Sequence, residues 1–295
     1  MKSGFIAIVG RPNVGKSTLL NRLIETKLSI VSDKPQTTRN RILGIRTAPD
    51  AQIVFLDTPG IHRPGYRLNE RMMEAVYSSI RDVDLLLHMI DASEKYGKGE
   101  EYALEMIRDA GKKSILVLNK VDLINKGRLL PVMEFYSQQG VYTEIVPVSA
   151  LHGTNTGLLT ERIIQHLPEG EQMFPEDTIT DRNERFLVGE IIREKVLGLT
   201  RQELPYSTAV QMEEFDESRR EEDFVRITAS IIVDKPTQKK IVIGRAGRMI
   251  KQIGTEARRE IESLLDVEKV YLDLNVKVVP GWRNREHLLD ELGVI

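Results

Sequence analysis

Lys16 and Ser17 close an eight-residue stretch whose residue types and spacing imply phosphate chemistry, Gly10-Arg11-Pro12-Asn13-Val14-Gly15-Lys16-Ser17. Its glycines let the backbone turn tightly and aim N–H groups at phosphate oxygens, while a helix beginning there favours negative charge. Asn13, Val14, Gly15, Lys16, Ser17 and Thr18 are therefore candidate phosphate contacts. Lys16 reaches the β- and γ-phosphates, and the Ser17 hydroxyl can hold Mg2+. A second acidic site, Asp57-Thr58-Pro59-Gly60, can add a carboxylate to the Mg2+ shell and leave the Gly60 N–H open to a γ-phosphate. In isolation that tetrapeptide reads equally well as an ordinary turn. The third site is Asn119-Lys120-Val121-Asp122. The Asp122 carboxylate can accept from both the N1–H and the exocyclic amine of guanine, an arrangement adenine does not offer. Asn119 would brace the loop and contact the base, and the stem of Lys120 would cover the purine face. Ser149-Ala150-Leu151 can place backbone N–H groups near the guanine O6. An ATPase is the rival enzyme reading.

The elements that must position these residues follow from hydrophobic periodicity. Residues 5–9 form an unbroken apolar run that reads as a buried strand, and 18–24 carry apolar residues at helical spacing, so the first loop joins strand to helix. Strands are predicted over 42–46 and 53–56 about a turn at 48–50, then over 84–91, 114–118 and 144–148. Helices are predicted around 100–109 and 155–167. The four sites thus fall at successive strand ends, as ligand binding beyond the carboxyl edge of a parallel sheet requires.

At 295 residues the chain has room for about two domains. Its composition, 41% hydrophobic and 29% charged, is that of a soluble globular protein with no membrane-spanning run. Without cysteine, disulfides and thiolate metal sites are excluded, and a cytoplasmic location is expected. The five histidines show no ligand spacing. Pro168-Glu169-Gly170-Glu171 breaks the apolar pattern, giving domains at 1–170 and 185–295 around a linker at 171–184.

In the second half an amphipathic helix is predicted over 184–198, with Phe186, Leu187, Ile191, Ile192 and Val196 near one face. A hairpin is predicted from 207–215 and 224–233, and a last strand over 269–279. The net charge of −2 hides a strong separation. Residues 213–223 hold seven acids against Arg219 and Arg220, a local −5, whereas 235–259 hold eight basic residues against Glu256, a local +7. Within the basic stretch, Val242-Ile243-Gly244-Arg245-Ala246-Gly247-Arg248-Met249-Ile250 resembles the KH-domain signature, apolar residues flanking a G-x-x-G loop. Such a loop brings backbone close to about four nucleotides of single strand, and basic neighbours grip the phosphates. Ile243, Gly244, Arg245, Ala246, Gly247, Arg248 and Lys251 are the candidate RNA contacts. Trp282 reads as either a base-stacking residue or a packing anchor.

The set G-R-P-N-V-G-K-S, Q-T-T-R-N, D-T-P-G, N-K-V-D and S-A-L resembles the TrmE-Era-EngA class of translation-factor-related GTPases. The order of a GTPase domain followed by KH resembles the Era family over essentially the whole chain. The resemblance implies an α/β P-loop GTPase domain with a mostly parallel six-stranded sheet, then an α+β KH domain. It implies GTP and GDP as ligands with Mg2+ held by Ser17, Thr38 and Asp57, and Thr38, ahead of Thr37, closing over the metal in the triphosphate state. Residues 33–42 and 58–72 would then be the two switch segments. Lys16, Thr38, Asp57, Gly60 and Asn13 would carry catalysis. Ile61 departs from the Ras pattern, which has a water-positioning glutamine there, so slow intrinsic hydrolysis is expected. Relatives with this substitution use a potassium ion held partly by an asparagine that Asn13 matches. The implied role is in 30S ribosomal subunit assembly, by a monomer that binds the 3′ end of 16S rRNA in a nucleotide-dependent way, with peripheral association at the inner face of the cell membrane. A sensor domain joined to a protein-docking or membrane-surface module is the alternative.

Overall fold

The computed structural model describes residues 1–294 apart from 35, 63, 64 and 201–203, with the backbone alone at 205 and 206. Contacts divide the chain into two compact units. Residues 1–29, 38–64 and 69–181 make the first, and residues 30–37, 65–68 and 182–295 the second.

The first unit alternates strands and helices: β1 (Lys2–Val9), α1 (Lys16–Ile24), β2 (Ile42–Ala48), β3 (Ala51–Asp57), α2 (Arg67–Arg81), β4 (Leu85–Asp91), α3 (Lys98–Ala110), β5 (Ser114–Asn119), α4 (Lys126–Ser137), β6 (Glu144–Pro147) and α5 (Thr156–His166). One six-stranded sheet runs in the order β2-β3-β1-β4-β5-β6. All pairs are parallel except β2–β3, a hairpin whose register runs from Ile42↔Asp57 to Ala48↔Ala51. Every residue of β3, β4 and β5 is buried, the signature of strands covered on both faces and the reason they read as continuous apolar runs. Because these strands are parallel, the ends of β1, β3 and β5 share one edge: Ile8 is level with Asp57, and Asp91 with Asn119.

Neither α2 nor α4 is anticipated from the sequence. In α2, Arg67, Glu70, Arg71, Glu74 and Arg81 interleave with the apolar residues, and α4 contains Pro131. Phe174 packs against the core beside β2 and β3, and Gln52 Nε2 donates to the Phe174 carbonyl at 2.8 Å. Residues 173–179 therefore follow the sheet as part of this unit.

The second unit contains α6 (Glu184–Leu199), β7 (Thr208–Asp216), β8 (Phe224–Val233), α7 (Pro236–Ile243), α8 (Arg248–Leu265), β9 (Lys269–Val278) and α9 (Glu286–Glu291). β7 and β8 form the expected antiparallel hairpin, and β9 joins β8 in parallel. On α8, Ile253, Ala257, Ile261 and Leu265 recur every four residues and are fully buried. They meet the alternate residues Val225, Ile227, Ala229 and Ile231 of β8 in one core. α6 departs from the simple stripe predicted for it. Its buried residues include Arg193 and Glu194, while Phe186 is half-buried beneath the Arg182 guanidinium, 4.7 Å from its ring centre. No described helix is long and apolar enough to cross a membrane.

Candidate nucleotide site and nucleic-acid interface

α1 begins at Lys16 behind Gly15, whose φ of +101° and missing side chain are both required. A Cβ there would stand 2.4 Å from Asn119 Nδ2. The helix start is therefore left without a side-chain cap, its first N–H groups facing the loop that precedes it. Lys16 is buried, and its Nζ donates to the carbonyls of Gly10 at 3.1 Å and Arg11 at 2.9 Å. Burial pulls the ammonium from its usual value of 10.5 down to about 8, against the opposing pull of Asp57 and Glu100.

Ser17, Thr38 and Asp57, predicted as metal ligands, are brought together. Ser17 Oγ lies 2.7 Å from Asp57 Oδ2, to which it donates, and 2.8 Å from Thr38 Oγ1. Of the two threonines considered, Thr38 occupies this position, whereas the Thr37 hydroxyl donates to the Lys34 carbonyl at 2.5 Å. Burial pushes the Asp57 carboxyl up, offset by Lys16 and by the hydroxyls of Ser17, Ser29 and Thr38. Its Oδ1 is buried with no hydrogen-bond partner among the described residues. Two hydroxyls and an uncommitted carboxylate oxygen at one point make a donor set suited to a hard divalent cation such as Mg2+. Ser29 was missed at the sequence level: its Oγ donates to Asp57 Oδ2 at 2.8 Å. Asn21 holds it there, accepting from the N–H groups of Leu28 and Ser29 at 2.9 Å and donating to the Ser29 carbonyl at 2.7 Å.

Gly60 abuts Pro12 of the phosphate loop, and the Ile61 N–H donates to the Gly10 carbonyl at 3.0 Å. The Ile61 side chain is 3% exposed and belongs to the apolar core with Val9, Leu56 and Met73. It therefore points away from any water that could attack a phosphate. Asn13 is exposed and left-handed, φ +63°. Residue 35 of one expected switch segment and residues 63 and 64 of the other lie outside the described residues.

On the base side, Asn119 braces two loops, donating to the Val14 carbonyl at 2.8 Å and accepting from the Ala150 N–H at 2.9 Å. The Ser149 N–H donates to Thr154 at 3.1 Å. Two of the three N–H groups expected near guanine O6 thus hold the loop itself. Lys120 pairs with Asp91 at 2.6 Å, and the Asp122 carboxylate lies 3.9 Å from the His152 ring. Arg22, also missed, reaches from α1 to the Leu151 carbonyl at 2.7 Å. Leu151 itself is exposed.

In the second unit the G-x-x-G turn separates α7 from α8. Gly244 has φ +73°, and a Cβ on it would lie 2.6 Å from Met249 Cβ. Ala246 and Gly247 are left-handed as well, at +52° and +74°. Arg245, Ala246, Arg248 and Lys251 are exposed, and Ile243 and Gly247 half-buried. Beside the turn lies a groove of about 300 Å3 lined by Ile250, Lys251, Gly254, Thr255 and Arg258 of α8 with Leu272 and Leu274 of β9. Only Lys251 of these is among the RNA contacts expected from sequence, because the groove forms where α8 packs on β9, a juxtaposition that no spacing within α8 encodes. Trp282 is fully buried and donates from Nε1 to the Ser207 carbonyl at 3.0 Å, so it is a packing anchor and cannot stack on a base.

Residues 5–120 match a family model described as a 50S ribosome-binding GTPase, and residues 203–283 match the KH domain. Among solved structures, the chain is similar to an Era in complex with MgGDPNP and nucleotides 1506–1542 of 16S ribosomal RNA. Identity is 45%, the TM-score is 0.96, and 100% of this chain and 99% of that one are covered. It is equally similar to an Aquifex aeolicus Era variant bound to GDP·AlF4−, at 45% identity and a TM-score of 0.95 over the same shares.

Proposed function

Because this chain belongs to the Era family of GTPases, we propose that it hydrolyses GTP to GDP and phosphate, binds the 3′ end of 16S rRNA through its KH domain, and assists assembly of the 30S subunit. The observation that carries the reading is the convergence of Ser17, Thr38 and Asp57 beside Lys16, in a chain that also presents a G-x-x-G turn between two basic helices. We propose boundaries of 1–170 for the GTPase domain and 185–295 for the KH domain, around a linker at 171–184 whose residues 173–179 lie along the GTPase sheet. The protein would act as a cytoplasmic monomer, its basic face also suited to peripheral contact with the inner membrane surface.

Catalysis follows from positioning and electrostatics rather than from a protein base. The first-turn N–H groups and Lys16 hold the phosphate oxygens, and Gly60 offers its N–H to the γ-phosphate. Bound by Ser17, Thr38 and Asp57, Mg2+ would supply charge neutralisation between the β- and γ-phosphates. Asp122 selects guanine, and Lys120 covers its face. With Ile61 in the core, no side chain at that position orients water, so unstimulated turnover should be slow. Asn13 would help to hold a potassium ion in compensation.

RNA binding separates this reading from the protein-docking and membrane-surface alternatives. Replacing Arg245 and Ala246 together with aspartate keeps both glycines, and aspartate tolerates the left-handed conformation at 246. Binding of an oligonucleotide matching the 16S 3′ end should collapse in the variant while GTP turnover without RNA persists. Wild type that binds the complementary oligonucleotide equally well, or a variant that binds like wild type, would refute the assignment.

A further inference from the structure

We propose that Arg193 and Glu194 of α6, outside the GTPase domain in sequence, position the chain that leads into Thr38 and so set the preference of the nucleotide site for triphosphate over diphosphate. The inference rests on the GTP-binding reading above.

Residues 30–37 pack with residues 182–295 rather than with their sequence neighbours. They are bounded by two residues of the first unit, Ser29 and Thr38, which bond to Asp57 and Ser17 respectively. Two side chains of α6 grip the span at its ends. Glu194 Oε1 accepts from the Val31 N–H at 2.9 Å, across 163 residues of sequence. Arg193 Nη2 donates to the Thr37 carbonyl. That carbonyl belongs to the peptide plane that enters Thr38, so the guanidinium fixes the direction from which the Thr38 hydroxyl approaches Ser17.

Both charged residues are buried, at 3% and 8% exposure, in a helix whose other buried positions are mostly apolar. Burying charge is costly unless it is paired. Glu190 holds the Arg193 fork at 2.7 and 2.6 Å. Lys195 holds Glu194 at 3.0 Å and also pairs with Glu260 of α8, the helix that follows the G-x-x-G turn. Packing of α6 against α8 would be served as well by apolar residues at 193 and 194. What those residues supply in addition is a donor and an acceptor for an otherwise irregular segment. In this arrangement Thr38 is already drawn to Ser17, so the α6 contacts coexist with the convergence of Ser17, Thr38 and Asp57 that would hold Mg2+. Contacts present in the closed arrangement and weakened in an open one must favour the ligand that requires closure. Arg193 and Glu194 are thus positioning residues that act through Thr38.

The test measures dissociation constants of GDP and of non-hydrolysable GDPNP with Mg2+ on the full chain. Glu194→Ala and Arg193→Ala should weaken GDPNP about tenfold and leave GDP within about twofold, as expected for loss of one hydrogen bond to a charged group. Glu194→Gln, which keeps an acceptor for the Val31 N–H, should restore most of the discrimination. In a double-mutant cycle, Glu194→Ala should add little to Thr38→Ala, because both act on one contact. Equal weakening of both nucleotides with a lower Tm would mean a merely structural role, and so would full additivity with Thr38→Ala. Unchanged ratios in folded variants would equally overturn the inference. If wild type bound neither nucleotide, the GTP-binding reading itself would fall, an outcome distinct from all of these.

Discussion

Lys16 shows how one residue carries both the chemistry of the site and a signature that can be measured. Burial disfavours its charged form and pulls the ammonium down to about 8. Bound phosphates would favour that form and raise the value, so binding above pH 8 must take up a proton. GDP affinity should accordingly be flat from pH 6.5 to 7.5 and fall as pH rises through 8. Calorimetry at pH 8.5 in buffers of different ionisation enthalpy should show proton uptake, and a flat profile without uptake would contradict the assignment. At Asn13, turnover in potassium should exceed turnover in sodium for wild type, and Asn13→Ala should abolish the difference; four equal rates would remove the potassium role. Residues such as Lys16, Asp57 and Asn119 are legible in sequence because each sits in a local motif at a strand end. Ser29, Asn21 and Arg22 are not. Their roles depend on what the fold brings to them, Asp57 to Ser29 and the 150–151 backbone to Arg22, and no spacing rule encodes that.

Among elements, the α7–turn–α8 unit is the clearest case of local sequence dictating shape. Gly244 is required by a positive φ and by the approach of Met249. Gly244→Ala should therefore lower stability by about 1–3 kcal/mol, the usual cost of a strained backbone position. It should also weaken RNA binding, since the turn cannot keep its shape; an unchanged denaturation midpoint would contradict the requirement for glycine there. The stripe at 253, 257, 261 and 265 makes α8 readable as a helix. α6 is legible as a helix too, but its polar burial is not, because the Thr37 carbonyl and Val31 N–H that Arg193 and Glu194 hold lie more than 150 residues away. In α4, Pro131 removes one backbone donor yet the helix continues, so a breaker rule misleads there. The leading strands extend beyond the apolar runs that mark them, β1 starting at Lys2 rather than residue 5. Apolar runs mark only the part buried on both faces.

For the whole molecule, the near-neutral balance of −2 conceals the stretch of local +7 that supplies α7 and α8. A KH surface holds about four nucleotides, and single strands lose roughly 0.7 in log K per contact and decade of salt. A plot of log affinity for the 16S oligonucleotide against log salt should thus have a slope of about −2 to −3. A slope near zero would mean that phosphates are not gripped there. Order of synthesis adds one more consequence of the bond between Val31 and Glu194. A growing chain can complete the six-stranded sheet by residue 147, while the acceptor for Val31 is still untranslated. At about 5–20 residues per second, the core exists for several seconds before that acceptor is made. A nascent chain halted after residue 181 should therefore bind GDP in nearly mature fashion and discriminate poorly against it in favour of triphosphate, so the protein would acquire its nucleotide preference last.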